Sequence, residues 1–290
     1  MLRKGFLLSF FVVMFVGLHA SDARVVIPLS EKGEQRIVVV VASYNNQLYY
    51  RRNLDSIFTQ NYENYHVLYI NDCSTDNTLV LVESYVRNRA MADRITIIAN
   101  KERRGALANH YQAIHEHCKD TDLVVIVDGD DWLHGHRVFS YLNGVYKDSN
   151  VWMTYGQFVQ YPSKDRGWCR DMPKDVVARN AFRDHTHNPG HLRTFYAGLF
   201  KQIRKEDLMY QDDFLRMCAD NAVMFPMIEM ARNGHFKFID KLLLVWNGKN
   251  DLNDHKVVRG LQYQLDRVIR ARHRYDAIEL LFGVETKNEA

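Results

Sequence analysis

From residue 36 onward, short and nearly continuous apolar runs alternate with longer segments whose apolar residues recur every three or four positions. A continuous run is typical of a strand buried on both faces, and the second spacing is typical of an amphipathic helix. Strands that alternate with helices build right-handed βαβ units and hence a parallel sheet. The pattern predicts an α/β fold, with strands in RIVVVVA, HVLYIND, ITIIAN and LVVIVDG and helices in YYRRNLDSIFTQ, STDNTLVLVESYVRNR and GALANHYQAIHEHC.

After Trp132 the alternation becomes weaker. The run VWMTYGQFV predicts a strand, FKFIDKLLLVWN predicts two short strands, and HLRTFYAGLFKQI fits a strand or a helix. The segment DNAVMFPMIEMARNG predicts a helix that ends at Gly234, with Pro226 near its first turn. Residues 161–190 show no regular period, and an irregular segment of that length in a compact domain is usually a lid or a substrate loop. Ser74 or Thr75 is the expected cap of the helix in STDNTLVLVESYVRNR.

The N-terminal residues 1–23 form a segment of their own. Two basic residues precede an apolar stretch from Gly5 to Leu18, and small residues follow it. This is the layout of a signal peptide cleaved after Ala20 or Ala23. The stretch is shorter than the span of about 20 residues that a membrane helix needs, but an uncleaved anchor remains open. We expect a location in the lumen of the secretory pathway or on a membrane, on its cytoplasmic side if the segment is an anchor.

Composition and charge add three limits. A hydrophobic content of 47% with 25% charged residues is ordinary for a globular protein and excludes a disordered chain. The net charge of +3 is too small to indicate a nucleic-acid partner. Four cysteines without CxxC spacing indicate neither a zinc site nor a disulfide framework. Near the C-terminus, arginines alternate with apolar residues, which predicts the solvated face of an amphipathic helix, with contact to an anionic surface as the other interpretation.

Polar side chains follow each of the four predicted parallel strands. Ligands of open α/β sheets bind beyond the carboxyl ends of the strands. These ends are rich in Asp, Asn and Arg, which favours one shared site over four unrelated loops. The residues concerned are Ala42, Ser43, Tyr44 and Asn45 after the first strand, Asn71 and Asp72 after the second, Asn100, Arg103 and Arg104 after the third, and Asp128 to Asp131 after the fourth.

The segment VVIVDGDDWL places three aspartates within four positions directly after an apolar strand. Carboxylates this close repel one another, so they need either water or a compensating positive charge. Mg²⁺ and Mn²⁺ prefer oxygen ligands and often share them with substrate phosphates. Asp128 and Asp130 lie two positions apart in a turn, so both can face one ion. An exposed turn without a metal is the alternative.

Several of these segments together resemble a known family. VVVVASYNN, LDSIFTQNYENYHVLYINDCSTDNT and DGDDWL are similar to the motifs of the family 2 glycosyltransferases of GT-A fold. The resemblance covers roughly residues 36–232 and is tightest up to residue 134. It implies a Rossmann-like, mostly parallel sheet flanked by helices. It also implies a nucleotide-sugar-binding half at 36–134, an acceptor-side half at 135–250 and a C-terminal helical extension at 251–290.

The resemblance implies an inverting transfer of a sugar from a nucleoside diphosphate to an acceptor hydroxyl, with Mn²⁺ or Mg²⁺ as cofactor. The acceptor stays open among glycan, protein and lipid. The implied donor-binding residues are Ala42, Tyr44, Asn45, Asp72, Arg104, Gly105, Asp128 and Gly129, the implied metal ligands are Asp128, Asp130 and His255, and the implied catalytic base is Asp220.

This sequence departs from the family pattern near the second strand. Asn71 and Cys73 replace an aspartate and a glycine, so Asp72 alone is left to contact the base. A carboxylate there can accept the N3 proton of uracil, which favours a UDP donor, whereas a helix-capping carboxylate is the other interpretation. Arg104 is expected either to neutralise phosphate or to be a solvated loop charge.

The base and the aromatic residues also keep alternatives. Asp220 fits a general base near the start of a helix, but it also fits an ordinary N-cap, and Asp212 or Asp213 would then take its role. Trp168 and Tyr161 fit either stacking on a sugar ring or packing in a loop. His185, His187 and His191 are expected to shape the acceptor loop rather than to bind the metal.

Two other functions share these features. A nucleotidyltransferase also combines an α/β sheet with a carboxylate-bound metal, but its glycine- and arginine-rich triphosphate loop is not found in this sequence. A binding protein that keeps the fold without activity is the second alternative, against which the intact Asp72, Asp128, Asp130 and Asp220 argue.

Overall fold

The four apolar runs form the parallel half of one eight-stranded sheet in the computed structural model, which describes residues 30, 33–186, 189–252, 256 and 259–282. The strand order is β3-β2-β1-β4-β7-β6-β10-β5. The strands are β1 Ile37–Ser43, β2 Tyr65–Asn71, β3 Ile95–Ala99, β4 Leu123–Ile126, β5 Trp132–Leu133, β6 Met153–Tyr161, β7 Arg193–Tyr196 and β10 Phe236–Asn247, and a separate hairpin consists of β8 Met209–Tyr210 and β9 Asp213–Phe214.

Helices cover both faces of this sheet. Along the chain, the strands step outward from β1 to β3 and then return to β4 on the other side of β1. Right-handed crossovers therefore put the first two helices on one face and the third on the opposite face. The helices are α1 Tyr50–Phe58, α2 Thr78–Asn88, α3 Ala106–His117, α4 Val138–Val145, α5 Lys174–Ala178, α6 Ala197–Lys201, α7 Ala219–Met230 and α8 Arg259–Ala271.

The core lies where the sequence is most continuously apolar. The residues Ile37–Val41 of β1 are fully buried, since helices cover both faces of this central strand. In register, Ile37 lies opposite Tyr65 of β2 and Leu123 of β4. The carboxyl ends of β1, β2, β3 and β4 therefore reach the same edge of the sheet.

The second half of the sheet adds its own strand ends to that edge. Strand β7 is antiparallel to β4, so its first residue, Arg193, pairs with Ile126 at the end of β4. Strands β6 and β10 run parallel to each other and antiparallel to β7, which brings Tyr161 and Asn247 to the same edge. The edge thus carries residues of seven neighbouring strands.

Three local predictions were wrong. The run FKFIDKLLLVWN is a single strand, because β10 stays paired with β6 across two irregularities in its register. Pro226 lies in the interior of α7, which is buried along most of its length and continues past the proline. Helix α2 starts at Thr78, later than expected, and the N–H of Thr78 bonds to Asp76. Ser74 and Thr75 instead bond to Asn45.

Helix α8 packs against α7. Arg183 forms a fully buried ion pair with Glu229 of α7, at 2.6 and 2.8 Å, and donates a further bond to the carbonyl of Ile269 in α8. Asn221 of α7 also donates to Asp266 of α8. These bonds hold α7 and α8 side by side.

The predicted N-terminal signal or anchor segment, residues 1–23, lies outside the described residues. Within the part of the chain that the structure describes, no helix has the length and apolar character needed to cross a membrane.

Candidate active site

The strand ends surround a cavity of ≈ 880 Å³. It opens between the parallel strands β1 and β4, where the order of the strands along the chain reverses, which is where ligands bind in open α/β sheets. The cavity is lined by residues from all seven strand ends and from α3, α7 and α8. Those predicted from the sequence are Ala42, Tyr44, Asp72, Arg104, Gly105, Asp128, Gly129, Asp130 and Asp220.

A tight turn after β4 holds the aspartates in place. The N–H of Gly129 donates to the carbonyl of Ala42 at 3.1 Å. The buried amide of Asn53 donates to the carbonyls of Asp128 and Asp131 at 3.0 and 2.8 Å. A Cβ at Gly129 would lie 2.7 Å from the Ser43 side chain, so only glycine lets the turn approach β1 this closely. The turn is therefore fixed by the backbone and by α1.

Asp128, Asp131 and His191 form a cluster whose ligand atoms all lie within 4.8 Å of one another. Asp131 is 1% exposed, and its Oδ2 has no hydrogen-bond partner among the described residues. Burial, together with the charges of Asp130 and Asp128, raises the pKa of Asp131 well above its usual range. A divalent cation would relieve this repulsion and occupy the orphaned oxygen, so the carboxylates fit a metal.

Arg193 supplies the positive charge that the structure itself contains at this cluster. Its guanidinium lies 3.1 Å from Oδ2 of Asp128 and 3.1 Å from Nδ1 of His191. Burial would raise the pKa of Asp128, but Arg193 and the two neighbouring histidines hold it below its ordinary value. Because Nδ1 accepts from Arg193, the proton of a neutral His191 is on Nε2. His191 can therefore bind an ion only after Arg193 releases Nδ1.

His110 of α3 also lines the cavity and lies near Asp128 of the same cluster and near Arg193. It is 5% exposed, and its Nε2 has no hydrogen-bond partner in the described part of the chain. Burial lowers the pKa of His110 to about 4, against an opposing effect of Asp128. The ring is therefore neutral at pH 7 and presents an unsatisfied polar atom toward the cavity.

Asp72 is held by the loop that precedes α3. Its Oδ1 accepts from the side chain of Asn100 and the N–H of Arg104, each at 2.9 Å, and its Oδ2 accepts from the N–H of Gly105 at 2.9 Å. Burial would raise the pKa of Asp72, but hydrogen bonds from the Arg104 N–H, Asn109, Asn100 and the Gly105 N–H lower it. Since each carboxylate oxygen accepts two bonds, Oδ2 keeps one position for a ligand.

The loops beside Asp72 carry the other predicted donor-binding residues. The guanidinium of Arg103 stacks on the Tyr44 ring at 3.8 Å, and both line the cavity. The Arg104 side chain bonds to Gln112 of α3. Asn45 does not line the cavity; its side chain instead accepts from the N–H of Thr75 at 2.8 Å and so supports the neighbouring loop.

Asp220 lines the cavity from the first turn of α7. The N-cap of that helix is Cys218, which has no side-chain cap bond. Asp220 is therefore not the N-cap, the alternative that its position in the sequence left open. Of its two substitutes, Asp213 also lines the cavity and pairs with Arg216 at 3.2 Å. Asp212 lies in the β8–β9 turn and is not among the lining residues.

The metal ligands predicted from the sequence are only partly brought together. Asp128 belongs to the cluster, whereas Asp130 lines the cavity and accepts a bond from Asn250 at 2.7 Å. His255 lies outside the described residues. The roles of Asp130 and His255 therefore stay predictions.

Sequence reasoning missed Arg193 and His110, and it placed Asp131 at the shared site without a metal-binding role. It assigned His191 to the acceptor loop, whereas the structure places His191 in the cluster with Asp128 and Asp131. Asp131 was visible in the DGDD segment, but its burial was not. His191 and Arg193 reach the site because β7 is antiparallel to β4, and no local pattern indicates that pairing. His110 lies on the cavity side of an otherwise ordinary amphipathic helix.

Known proteins resemble this chain in sequence and in fold. Residues 38–209 match the family described as Glycosyl transferase family 2. Over an alignment of 100 residues, the chain is 33% identical to the glycosyltransferase GlyA of Streptococcus pneumoniae serotype 4. The alignment covers 34% of this chain and 14% of GlyA. The chain thus spans a small part of that relative.

Solved structures share the fold at low sequence identity. S. aureus TarS 1–349 in complex with UDP-GlcNAc has a TM-score of 0.56 at 17% identity, covering 81% of this chain and 65% of that one. The mannosyltransferase PcManGT from Pyrobaculum calidifontis, in complex with GDP-Man and Mn²⁺, has a TM-score of 0.55 at 21% identity, covering 83% and 66%. The predicted GT-A-like α/β fold is confirmed, and with more than half of its length matched, this chain belongs to glycosyl transferase family 2.

Proposed function

We propose that this protein is a metal-dependent, inverting glycosyltransferase that moves a sugar from a nucleoside diphosphate to an acceptor hydroxyl. One observation carries the proposal: a single cavity contains a carboxylate cluster suited to a divalent ion at β4 and an acidic side chain, Asp220, on α7. Family membership supports the same class of reaction.

The nucleotide end of the donor belongs beside β1 and β2. Tyr44 offers an aromatic face for the base, and Oδ2 of Asp72 has one acceptor position for the N3–H of uracil. We infer a UDP donor from this match. TarS was solved with UDP-GlcNAc but PcManGT with GDP-Man, so relatives of this fold take more than one nucleotide.

The diphosphate belongs at the cluster of Asp128, Asp131 and His191. A divalent ion held there offsets the charge of the leaving diphosphate. We infer Mn²⁺ rather than Mg²⁺, because a nitrogen donor beside two carboxylates suits Mg²⁺ poorly. Arg193 adds a positive charge beside Asp128, and Nε2 of His110 is available for a hydrogen bond with an oxygen of the sugar donor.

Asp220 is the group that we assign to the acceptor. Its carboxylate would take the proton of the attacking hydroxyl as that oxygen bonds to the anomeric carbon. Attack from the side opposite the diphosphate inverts the configuration of the sugar, which is why the base and the metal cluster must approach the donor from two sides. Asp220 on α7 and the cluster at β4 belong to different elements of the cavity wall.

A thermal-shift screen of nucleotide sugars, each with Mn²⁺ and with EDTA, tests the proposal. A true ligand at 100 times its Kd stabilises the fold by about 2.7 kcal/mol through mass action. We expect a UDP-sugar to raise the melting temperature only in the presence of Mn²⁺. Equal shifts with EDTA would remove the metal from donor binding, and no shift with any nucleotide sugar would contradict the proposed activity.

A further inference from the structure

The cavity has an aromatic wall that the donor residues do not use. Trp168 lines it and is 55% exposed. The ring of Phe158 meets it edge-on at 4.8 Å, and the ring of Trp246 does so at 6.1 Å. Exposing a large apolar ring such as an indole to water is unfavourable, so a Trp168 ring that stays exposed inside a cavity indicates a binding role.

The backbone holds this indole in one place. Gly167 donates its N–H to the carbonyl of Phe158 at 2.8 Å, and a Cβ on Gly167 would lie 2.6 Å from the Phe158 ring. Gln157 also donates to the carbonyl of Cys169 at 2.6 Å. The segment around Trp168 is thus pinned along β6 on both sides, so the open face of the ring is presented in a fixed orientation.

Its position in the sheet separates Trp168 from the nucleotide. Asp72 follows β2, whereas Trp168 lies against β6, and the order β2-β1-β4-β7-β6 puts four strand spacings, or about 19 Å, between them. The metal cluster, at the end of β4 and the start of β7, lies between the two. Trp168 is therefore on the far side of the metal cluster from the nucleotide. Asp220 lies near the adjacent Cys169, because burial and then the charge of Asp220 raise the pKa of that thiol.

Polar side chains also line the cavity that Trp168 borders. Gln160 of β6, Asn250 and Gln262 of α8 are among them. A sugar ring has a flat face of C–H groups and a rim of hydroxyls, so an indole covers the face while amides and carboxylates bind the rim. An acyl chain would instead require a continuous apolar groove, whereas the apolar residues Met217, Leu252 and Leu261 share this cavity with polar side chains.

We propose that the acceptor is a saccharide whose terminal sugar ring stacks on Trp168. This inference rests on the proposed glycosyltransferase function and narrows the acceptor, which the sequence left open among glycan, protein and lipid, to one class. Stacking on Trp168 orients the terminal ring, so that one of its hydroxyls points to Asp220.

A glycan array tests the inference with the full chain in the presence of UDP and Mn²⁺. We expect the wild-type protein to retain glycans that share a terminal sugar. For the best of them, calorimetry should give a Kd about tenfold weaker in Trp168→Ala, the size expected for loss of an aromatic stacking partner. Trp168→Phe keeps a smaller ring and should fall between the two.

Two controls test the saccharide acceptor separately from the proposed glycosyltransferase function. Tyr263→Ala removes an aromatic side chain that is 67% exposed and does not line the cavity, and it should bind the same glycan as the wild type does. The affinity of each Trp168 variant for the UDP-sugar found in the thermal-shift screen should stay within about twofold, because stacking on the acceptor is independent of donor binding.

Each outcome of these experiments either supports or overturns the saccharide acceptor. Nucleotide-sugar binding without any glycan binding, or glycan binding that Trp168→Ala leaves unchanged, overturns the saccharide acceptor while the proposed function stands. Weaker donor binding in Trp168→Ala assigns the ring to the donor sugar and also overturns it. Glycan binding through Trp168 without any nucleotide-sugar binding would instead contradict the proposed function and leave a carbohydrate-binding protein.

Discussion

Glu229→Gln removes one charge from the buried ion pair that holds α7 against α8. Both side chains are almost inaccessible, at 2% for Arg183 and 0% for Glu229. The carboxylate accepts two bonds from the guanidinium and a third from the N–H of Tyr275 at 3.0 Å. Glutamine keeps the size of the side chain but leaves the guanidinium as a buried charge without a counterion.

The expected loss is large because the pair is buried. Removing one partner of a buried ion pair costs about 3–5 kcal/mol. In a domain of this size, each kcal/mol changes the melting temperature by about 2–4 °C. Glu229→Gln should therefore lower the melting temperature by about 6–20 °C. Calorimetry or circular dichroism measures this directly, and proteolysis within 259–271 should become faster as α8 loses its anchor.

Two further variants make the test specific. Asp175→Asn breaks an exposed pair with Arg179, in which both side chains are 68% exposed, and should leave the melting temperature unchanged. The double variant Arg183→Met with Glu229→Leu removes both charges and should be more stable than Glu229→Gln alone. If Glu229→Gln melts within about 1 °C of the wild type, the ion pair does not hold the two helices together.

Three other changes follow from the site. Burial lowers the pKa of His110 to about 4 from 6.5, so the unfolded chain binds more protons than the folded chain between these pH values. The free energy of unfolding therefore falls by up to about 3 kcal/mol as the pH drops from 6.5 to 4, and His110→Gln should flatten that part of the profile of melting temperature against pH. Asp131→Asn should melt at or above the wild-type temperature, because burial and two neighbouring carboxylates destabilise the ionised carboxyl of Asp131. The variant should lose the stabilisation by Mn²⁺, and a Mn²⁺-induced shift in melting temperature as large as that of the wild type would contradict the metal site. Gly129→Ala should cost about 1–3 kcal/mol and weaken donor binding, because its Cβ would meet Ser43 and Asn46, and a wild-type melting curve would show that the turn yields.

The sequence predicts the first half of this fold well for a physical reason. Strands β1 to β4 are buried on both faces or paired in sequence order. Their apolar runs, and the helical spacing of the segments between them, therefore predict the βαβ units without any long-range information. The polar residues at the strand ends then converge because parallel strands end at one edge. Asp72, Arg104 and Asp128 could be placed at the cavity on that basis alone.

The second half could not be predicted in the same way. Strand β7 enters between β4 and β6, an order that depends on long-range pairing rather than on local periodicity. His191 and Arg193 therefore reach the metal cluster without any sequence signal. The single strand β10 was divided in two because Asp240 and Lys241 interrupt its apolar run, whereas its pairing with β6 continues past them.

Asp220 illustrates how the structure narrows a choice that the sequence leaves open. A carboxylate near a helix start fits both a cap and a base. With Cys218 at the N-cap, Asp220 lies inside the first turn and borders the cavity. Its catalytic role stays a prediction, and the fallback Asp213 already has a partner in Arg216.

The release of nucleoside diphosphate from nucleotide sugars, measured for the wild type and Asp220→Asn with Mn²⁺ and with EDTA, tests the central claim most directly. The account predicts release that requires Mn²⁺ and that falls about 10²- to 10⁴-fold in Asp220→Asn, while the affinity for the donor is retained. Asparagine cannot accept the proton but keeps the shape of the side chain. Release at the wild-type rate by Asp220→Asn, or equal release with EDTA, would contradict the account.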